Sequence, residues 1–569
     1  MFVKITTSGQ RRYVQLVESF RDEQGRVKKR TLATLGRLDQ LDHGLDSVIN
    51  GLLKITGPSA VASSPGLPTL PTVTFESTRT FGDVWMLTEL WNTLGFSGLR
   101  PVFGKTRHRL DIEALLRLMV FNRLCDPESK LGVLRWLETV ALPGMALAKV
   151  THQHRLRSLD ALIDHQAAVA EVVAGALRPM VHHELAVVFY DLTTIRAEGA
   201  SHPNGDVRQW GLAKEGLIAQ QFLLGIVQTA EGLPLDHQVM DGNTAETTTL
   251  LPTLNRLLTR FPRVRRVILI ADRGLLSLDN LAALQALRLA SGSALEFILA
   301  VPGRRYAEFA DVLAAFVPPT AATATAEVIG EVAWQGLRLV VAHDPVRAAQ
   351  QTQRRREQIQ TLTAQADQWA GKLDQQDTGV RQRGRQLSDR GATARFYQAV
   401  SEARLSRIIK VDLKGKLFNY QIDESARTQA ELLDGKLLLV TNTPDITPPE
   451  IVSRYKALAD IERGFRVLKS ELAIGPVYHR LPDRIRAHAW LCFLALILYR
   501  VMRQRLQTAR IGLSPERALE RLQRIQYHQI RLNATHSVTG LSTLHHQQTE
   551  VLKALQIRKP SADPPLTLL

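Results

Sequence analysis

Cysteine is almost absent from this chain, since Cys125 and Cys492 are the two cysteines in 569 residues. They lie far apart, each in a mostly apolar stretch, so the sequence offers no disulfide framework and indicates a reducing compartment. The N-terminal residues Met-Phe-Val-Lys-Ile-Thr lack the pattern of a signal peptide. The longest apolar run, Trp490 to Tyr499, is shorter than the about 20 residues that a membrane-spanning helix needs. We therefore expect a cytoplasmic protein without a membrane partner.

Acidic residues are too few to balance the basic ones. The chain has 72 Lys and Arg against 55 Asp and Glu, a formal net charge of +17. A surplus of this size indicates a polyanionic partner, and nucleic acid is the first candidate. A basic surface that serves solubility is the alternative. Hydrophobic residues make up 45% of the chain, so large cores can be buried.

The N-terminal part divides into three segments. Residues 1–56 are predicted to form a small β-rich unit with strands over Phe2–Thr6, Tyr13–Phe20 and Val27–Thr34. Residues 57–74 carry four prolines and no charged residue, which is a linker composition. Residues 75–180 repeat apolar residues at three- and four-residue spacing and are rich in Arg, which predicts a helical DNA-binding domain. An ordinary helical bundle with a basic face fits that segment equally well.

A catalytic core is predicted from residue 181 onwards. Strand-like runs and helical stretches follow one another over residues 181–302 in the order strand, hairpin, helix, strand, helix, strand. This order is compatible with a ribonuclease H-like α/β fold. Residues 303–436 are predicted to be an insertion domain, residues 437–503 the second part of the core, and residues 504–569 a helical C-terminal tail. Within the insertion, Arg347–Lys372 and Arg381–Arg404 have little apolar stripe and predict a helical hairpin facing solvent or DNA.

Two aspartates follow predicted central strands. Asp191 comes directly after the apolar run Leu185–Tyr190, and Asp272 follows the predicted buried strand Val264–Ile270, with Ala271 between them. The carboxyl ends of strands are where α/β sheets place binding and catalytic groups. An aspartate at such a place can also cap a helix or form a turn, but two in this order favour ligands.

A third acid lies on the helix predicted after Pro448 and Pro449. Tyr455, Glu462 and Lys469 are spaced seven and seven residues apart. Seven helical residues drift by only about 20°, so the three side chains are predicted to share one face. An acid between Tyr and Lys suits a metal ligand flanked by phosphate contacts, and an exposed helix face is the alternative.

The chain resembles DDE transposases of prokaryotic insertion sequences. The nearest group has a Tyr-x2-Arg-x3-Glu-x6-Lys signature and a large β-containing insertion before its catalytic Glu. Tyr455, Glu462 and Lys469 fit the signature, whereas Leu458 stands at the Arg position. Asp191-Leu-Thr-Thr and Ala271-Asp272-Arg-Gly resemble the two aspartate motifs of this family. The motif selects Glu462 over the nearby acids Asp460 and Glu471, and the candidates to replace the signature Arg are Arg454, Arg463 and Arg466.

The resemblance covers about residues 181–500 and implies an α/β, ribonuclease H-like enzyme that uses metal ions. Asp191, Asp272 and Glu462 would be the catalytic residues and would hold two Mg²⁺ or Mn²⁺ ions. Mg²⁺ prefers carboxylate oxygens, and two ions suit phosphodiester cleavage and transfer. The implied reaction cleaves DNA at transposon ends and transfers the freed 3′-hydroxyl into target DNA. The implied partners are double-stranded DNA, as terminal inverted repeats and as target, and a second copy in a homodimer near the nucleoid.

Further residues are candidates for DNA contacts. They are Tyr455, Lys469, Arg466, Lys214, Arg304, Arg305, Arg480 and Trp334. Trp334 would stack on a displaced base, and Arg480 would belong to a phosphate-binding wall with His479, Arg484, Arg486 and His488. The alternatives are a plain surface lysine, solvated basic loops and a core tryptophan.

Two other functions remain open from the sequence. One is a non-catalytic protein that binds transposon ends without cleaving them, against which the intact acidic triad argues. The other is a ribonuclease H-like nuclease of a different class, which the long insertion and the basic helical segment disfavour.

Overall fold

The computed structural model of the protein describes residues 2–8, 11–21, 27–37, 73–104, 111–144, 150–182, 184, 186–199, 205–212, 218–272, 278–315, 326–379, 387–532 and 536–560. The chain forms two compact units. The first is Met1–Thr74 with Leu532–His536, and the second is Phe75–Arg531 with Ser537–Leu569.

The first unit contains a three-stranded antiparallel sheet in the order β1–β2–β3. Its strands are β1 (Phe2–Ser8), β2 (Arg11–Arg21) and β3 (Val27–Arg37). Irregularities in the pairing of β2 with β3 shift the alternation of side chains, so that both Val14 and Val17 are buried. The three predicted strands are confirmed. Most of the predicted linker lies outside the described residues.

Helices dominate the start of the second unit, after strand β4 (Val73–Thr80). Those in the described residues are α1 (Gly82–Thr93), α2 (Leu99–Phe103), α3 (Ile112–Cys125), α4 (Gly132–Thr139), α5 (His152–Asp164) and α6 (Gln166–Leu177). Asp111 begins α3 by accepting a hydrogen bond from the backbone N–H of Ala114, and Thr151 begins α5 with a capping box. The helical character of this segment is confirmed.

A central sheet follows. Its first elements are β5 (Ala186–Arg196), β6 (Gln209–Leu212), β7 (Ile218–Thr229), β8 (Pro234–Asp241), α7 (Glu246–Arg260), β9 (Val267–Ala271), α8 (Leu278–Ala286) and β10 (Glu296–Ala300). Strand β7 runs antiparallel to β5 and to β8, β9 runs parallel to β5, and β10 runs parallel to β9. The resulting order β8–β7–β5–β9–β10 agrees with the predicted ribonuclease H-like core.

The segment predicted as an insertion contains two kinds of structure. Its elements, with the strand that follows it, are α9 (Ala310–Ala315), β11 (Val328–Trp334), β12 (Leu337–His343), α10 (Pro345–Asp377), α11 (Asp389–Glu402), β13 (Ile409–Val411), β14 (Tyr420–Ile422), α12 (Glu424–Leu433) and β15 (Lys436–Thr441). Strands β15, β12 and β11 extend the central sheet beyond β10. Part of the predicted insertion domain therefore belongs to the sheet itself.

The two long helices of the insertion bury one narrow side against each other. Ile359, Leu362 and Ala366 of α10 pack against Phe396 and Val400 of α11 in a small hydrophobic core separate from the main one. Most other side chains of the two helices are exposed, which agrees with the predicted polar helical pair with little apolar stripe. The small core between the helices was not predicted, because a narrow apolar stripe at helical spacing is enough for a helix to bury one face.

The C-terminal part contains both helices and strands. Its elements are α13 (Pro448–Lys456), α14 (Ala459–Arg466), a π-helical turn (Val467–Glu471), α15 (Pro482–Thr508), α16 (Pro515–Gln523), β16 (Gln526–Leu532), β17 (His536–Leu541) and α17 (His546–Ala554). Strands β17, β16 and β4 form a three-stranded sheet. The prediction of a helical tail over residues 504–569 is confirmed for α16 and α17, but it missed the strands β16 and β17.

Helix α15 connects the helical segment to the central sheet. By length and composition it could cross a membrane, but 94% of its apolar window is buried inside the protein, as in a core helix. It packs against α1, α3, α5 and β8, and all of these contribute to one hydrophobic core. The helices predicted as a domain over residues 75–180 thus do not form a unit of their own.

Candidate active site

The two predicted catalytic aspartates lie side by side in the central sheet. Tyr190 on β5 is paired with Ala271 on the parallel strand β9, and the next residue on each strand is Asp191 or Asp272. Both aspartates are half-buried. Because neighbouring strands lie about 4.8 Å apart, the two carboxylates can serve one site.

The sequence predicted that Asp191 lies at the end of its strand, and this prediction was wrong. Strand β5 continues to Arg196 because β7 pairs with it as far as that residue. What ends after Tyr190 is the pairing of β5 with β9. The apolar run therefore marks the part of β5 that has strands on both sides, and Asp191 is the first residue beyond it.

Tyr190 fixes this part of β5. Its hydroxyl donates a hydrogen bond to Oγ1 of Thr249 at 2.9 Å. A Cβ at Gly225 would lie 2.8 Å from that hydroxyl, so the glycine makes room for the ring. Side chains alternate along a strand, so Asp191 is directed to the face opposite Tyr190. The backbone N–H of Leu192 donates to Oδ1 of Asp191 at 2.7 Å.

Asp272 has a direct partner on α13. The hydroxyl of Tyr455 donates a hydrogen bond to Oδ1 of Asp272 at 2.9 Å, and the Tyr455 ring is half-buried against the hydrophobic core. The sequence predicted Tyr455 as a phosphate contact. The structure instead gives it a carboxylate as a partner, which fixes one oxygen of Asp272.

The third acid, Glu462, lies on α14, which packs against β5. The side chain of Glu462 is outside the described atoms. Two residues later, a Cβ at Gly464 would lie 2.9 Å from Nη2 of Arg500 and 3.0 Å from Nε2 of Gln228. Gly464 therefore allows α14 to approach the sheet closely. Sequence reasoning missed this residue, and its one signal was a glycine inside a helical pattern.

The predicted continuous helix from Ile451 to Lys469 is interrupted. Helix α13 ends at Lys456, and the N–H of Leu458 donates to the carbonyl of Tyr455, a tighter turn than in an α-helix. Lys469 lies in the π-helical turn, which is wider. The shared face of Tyr455, Glu462 and Lys469 was calculated for 3.6 residues per turn throughout, and that premise was wrong.

Comparison with known proteins now adds the decisive observation. The family described as the transposase DDE domain matches residues 182–498, and the N-terminal domain of IS1634 family transposases matches residues 3–62. The chain belongs to the DDE transposases. No curated protein matches it. Among solved structures, a piggyBac transposase synaptic complex with hairpin DNA shares 8% identity over 78% of each chain, with a TM-score of 0.37.

The signature position that holds Leu458 in this transposase is part of the core. Leu458 is 9% exposed and belongs to the main hydrophobic cluster. Of the candidates to replace the signature arginine, Arg454 forms an ion pair with Glu450 at 2.7 Å, whereas Arg463 and Arg466 are exposed.

The other predicted DNA contacts of the transposase have different surroundings. Arg305 forms an ion pair with Glu308 at 2.7 Å, and Trp334 packs against Phe309 with ring centroids 5.1 Å apart. The packing of Trp334 agrees with the core alternative. Arg480 is exposed, and its carbonyl accepts a hydrogen bond from Arg208. Lys214 and the side chain of Arg304 lie outside the described part of the chain.

The residues around the two aspartates fit a hard divalent cation. Within the described residues, no group of three or more His, Cys, Asp or Glu is close enough to hold a metal, and the side chain of Glu462 was not among those that could be tested. Asp191 and Asp272 supply carboxylate oxygens, which Mg²⁺ and Mn²⁺ prefer. The backbone N–H of Leu192 and the hydroxyl of Tyr455 each donate to an Oδ1 atom, and a carboxylate has about four acceptor positions over its two oxygens.

Proposed function

We propose that this transposase cuts DNA at the terminal inverted repeats of its element and joins the freed 3′-hydroxyl to target DNA. Asp191, Asp272 and Glu462 would be its catalytic residues and would hold two ions of Mg²⁺ or Mn²⁺. The observation that carries this proposal is the adjacent placement of Asp191 and Asp272 on parallel strands, with Tyr455 fixing one of them.

Each residue of the proposed active site has a defined role. Asp191 is held by its pairing with Ile226 on β7, Asp272 directly follows the buried strand β9, and Glu462 comes from a helix that Gly464 allows close to the sheet. Tyr455 holds the carboxylate of Asp272 in one orientation. Bound divalent ions supply activation of a water or 3′-hydroxyl and neutralisation of charge at the phosphorus. The chemistry requires no covalent bond between protein and DNA.

Basic side chains near Glu462 would position the DNA. Arg463 and Arg466 on α14 and Lys469 in the π-helical turn would contact phosphates near the cleaved bond. We propose that two copies act as a homodimer across paired ends, in the cytoplasm near the nucleoid. The net charge of +17 supports association with DNA through release of counterions.

A cleavage assay tests the proposal. The purified transposase is incubated with a labelled duplex that carries the inverted repeat from the end of its own element, with and without Mg²⁺. We expect strand cleavage at the element boundary that depends on Mg²⁺, and joining of the 3′-end to a target plasmid. Specific binding of the end without any cleavage, in Mg²⁺ or Mn²⁺, would instead support a non-catalytic end-binding protein.

A further inference from the structure

A cavity outside the acidic site is lined with basic side chains. It has a volume of about 500 Å³ and lies between α3, α5, α15 and the segment that follows the π-helical turn. Its lining includes Arg123, Lys130, His479, Arg480, Arg484 and His488. Residues from four separate parts of the chain thus place cationic and imidazole groups around one space, which we call the basic cavity.

Hydrogen bonds fix the walls of the basic cavity. Arg123 donates to the carbonyl oxygens of Ala473, at 3.3 Å, and of Glu128. Nε2 of His488 lies 2.9 Å from the carbonyl oxygen of Ile474. A carbonyl can only accept, so Nε2 carries the proton and Nδ1 accepts from Nζ of Lys130 at 2.7 Å. The ammonium of Lys130 therefore rests against a neutral imidazole.

Carboxylates do not balance the charge of these groups within the described residues. Asp160 is paired with Arg484, at 2.7 and 2.8 Å, and Glu128, the one carboxylate among the described lining residues, lies 3.6 Å from Arg135. Behind the wall, the guanidinium of Arg155 is fully buried, and its three nitrogens have no hydrogen-bond partner among the described atoms.

This surplus of positive charge acts on Lys130. Burial and the neighbouring Arg123 and Arg155 lower the pKa of Lys130 to about 7, although Cys492 acts in the opposite direction. A bound anion would offset this repulsion.

The basic cavity lies along β5 from the aspartates. Val477, in its lining, pairs with Ala197, and its N–H donates to the carbonyl of Arg196 at 3.0 Å. Ala197 is six residues past Asp191, which corresponds to roughly 20 Å at 3.3 Å per residue. A DNA strand carries one phosphate per about 3.4 Å of helix axis, so this distance spans about six base pairs.

We propose that the basic cavity binds a backbone phosphate of the transposon end, about six base pairs from the cleaved bond. The inference rests on the proposed function, because it assumes that the DNA is cut beside Asp191 and Asp272. Lys130 and Arg123 would be the main contacts, and Arg480 would guide the strand at the entrance. Phosphate is the chemistry recognised, and a free phosphate ion is the other possible source.

The test couples one side chain to one phosphate. End duplexes with single methylphosphonate linkages, which neutralise one phosphate each, are bound to the wild type, Lys130→Gln and Arg135→Gln. Arg135 is exposed just outside the cavity, so its variant matches the loss of charge. We expect Lys130→Gln to weaken binding by about 10-fold and to lower the salt slope by about one. Arg135→Gln should weaken it less than about 2-fold, as an exposed charge does.

The inference is tested by which phosphate, when neutralised, no longer responds to the loss of Lys130. In the wild type, neutralising the phosphate about six base pairs from the cut should weaken binding at least as much as Lys130→Gln does, because Arg123 also contacts it. On that neutralised duplex, Lys130→Gln should cause no further loss. Equal sensitivity of Lys130→Gln and wild type to every neutralised position would overturn the inference. If Lys130→Gln does not fold, the exposed Arg480→Gln must show the same coupling.

Two further experiments distinguish DNA from free phosphate as the ligand, and this inference from the catalytic proposal. In the first, the thermal stability of wild type and Lys130→Gln is compared in inorganic phosphate and in chloride at equal ionic strength. Suppose that phosphate stabilises the wild type but not Lys130→Gln, and that no DNA position is coupled to Lys130. This result would assign the cavity to a free phosphate ion and overturn its assignment to DNA. Asp191→Ala should stop cleavage and keep the coupling to Lys130. A failure of the catalytic proposal would therefore leave different data from a failure of this one.

Discussion

The hydroxyl of Tyr455 lies 2.9 Å from Oδ1 of Asp272, whereas the signature predicted that this side chain would contact phosphate. Removal of the hydroxyl alone separates these roles. We expect Tyr455→Phe to lower the rate of cleavage at saturating DNA by about 10-fold, as loss of a group that orients a metal ligand usually does, and to raise the Mg²⁺ concentration needed. The measurement is single-turnover cleavage against Mg²⁺ concentration. Weaker DNA binding with an unchanged rate at saturation would support the phosphate contact instead.

His237 predicts how stability depends on pH. Burial, with Arg260 and Arg256 nearby, lowers the pKa of His237 to about 3, and its ring stacks on Phe493 at 4.3 Å. The unfolded chain takes up the proton near pH 6.5, while the folded chain does not until about pH 3. The folded state therefore loses stability as pH falls between these values, by up to about 1.4 kcal/mol per pH unit for this group.

The check is urea unfolding of wild type and His237→Gln at pH 6 and pH 5. His479 and His488 also have lowered pKa values, so the variant keeps part of the pH dependence. We expect the loss between the two pH values to be about 1 kcal/mol smaller in the variant. An identical loss in both proteins would show that His237 does not contribute.

At the scale of elements, Gly464 lets α14 lie close to the side chains of Arg500 and Gln228. In Gly464→Ala the new Cβ would lie 2.9 Å from Arg500 and 3.0 Å from Gln228, so the helix must move away from the sheet or the buried side chains must shift. We expect a loss of about 1–3 kcal/mol in stability, as for overpacking, and a cleavage rate reduced more than DNA binding.

Gly371, within α10, provides the control for the substitution of Gly464. A Cβ there would meet nothing within 4 Å, so Gly371→Ala should be neutral or stabilise the protein by up to about 1 kcal/mol. Thermal unfolding and cleavage rates of both variants decide the matter. Equal behaviour of the two would mean that the close approach at Gly464 has no role in catalysis.

Elements were predictable from the sequence where their pattern is local. The strands around Asp191 and Asp272 follow from apolar runs, and their parallel pairing fits the predicted order of elements. The break at Leu458 and the π-helical turn were not predictable, because both depend on how the helix meets the sheet. The hidden core of the insertion was missed because Ile359, Leu362 and Ala366 form a narrow stripe in a polar helix.

At the scale of the whole molecule, one hydrophobic core joins the helical segment to the catalytic sheet through α15. The apolar spacing and the Arg content of residues 75–180 suggested a separate helical domain. The sequence could not show that these helices share a core with the sheet, because that packing involves residues far apart in the chain. The basic cavity lies at this junction, with lining residues from the helical segment and from the catalytic part. Its residues lie far apart in the sequence, so only His479, Arg480 and their neighbours could be singled out beforehand.

The most direct test of the central claim measures cleavage of a labelled transposon end by three single variants. Asp191→Ala, Asp272→Ala and Glu462→Ala should each lower metal-dependent cleavage to background while end binding stays within about 2-fold of wild type, since each removes a metal ligand and no DNA contact. Glu471→Ala, which removes a nearby acid, is the matched control and should cleave normally. Cleavage at close to the wild-type rate by any of the three variants would remove that residue from the active site and contradict the account.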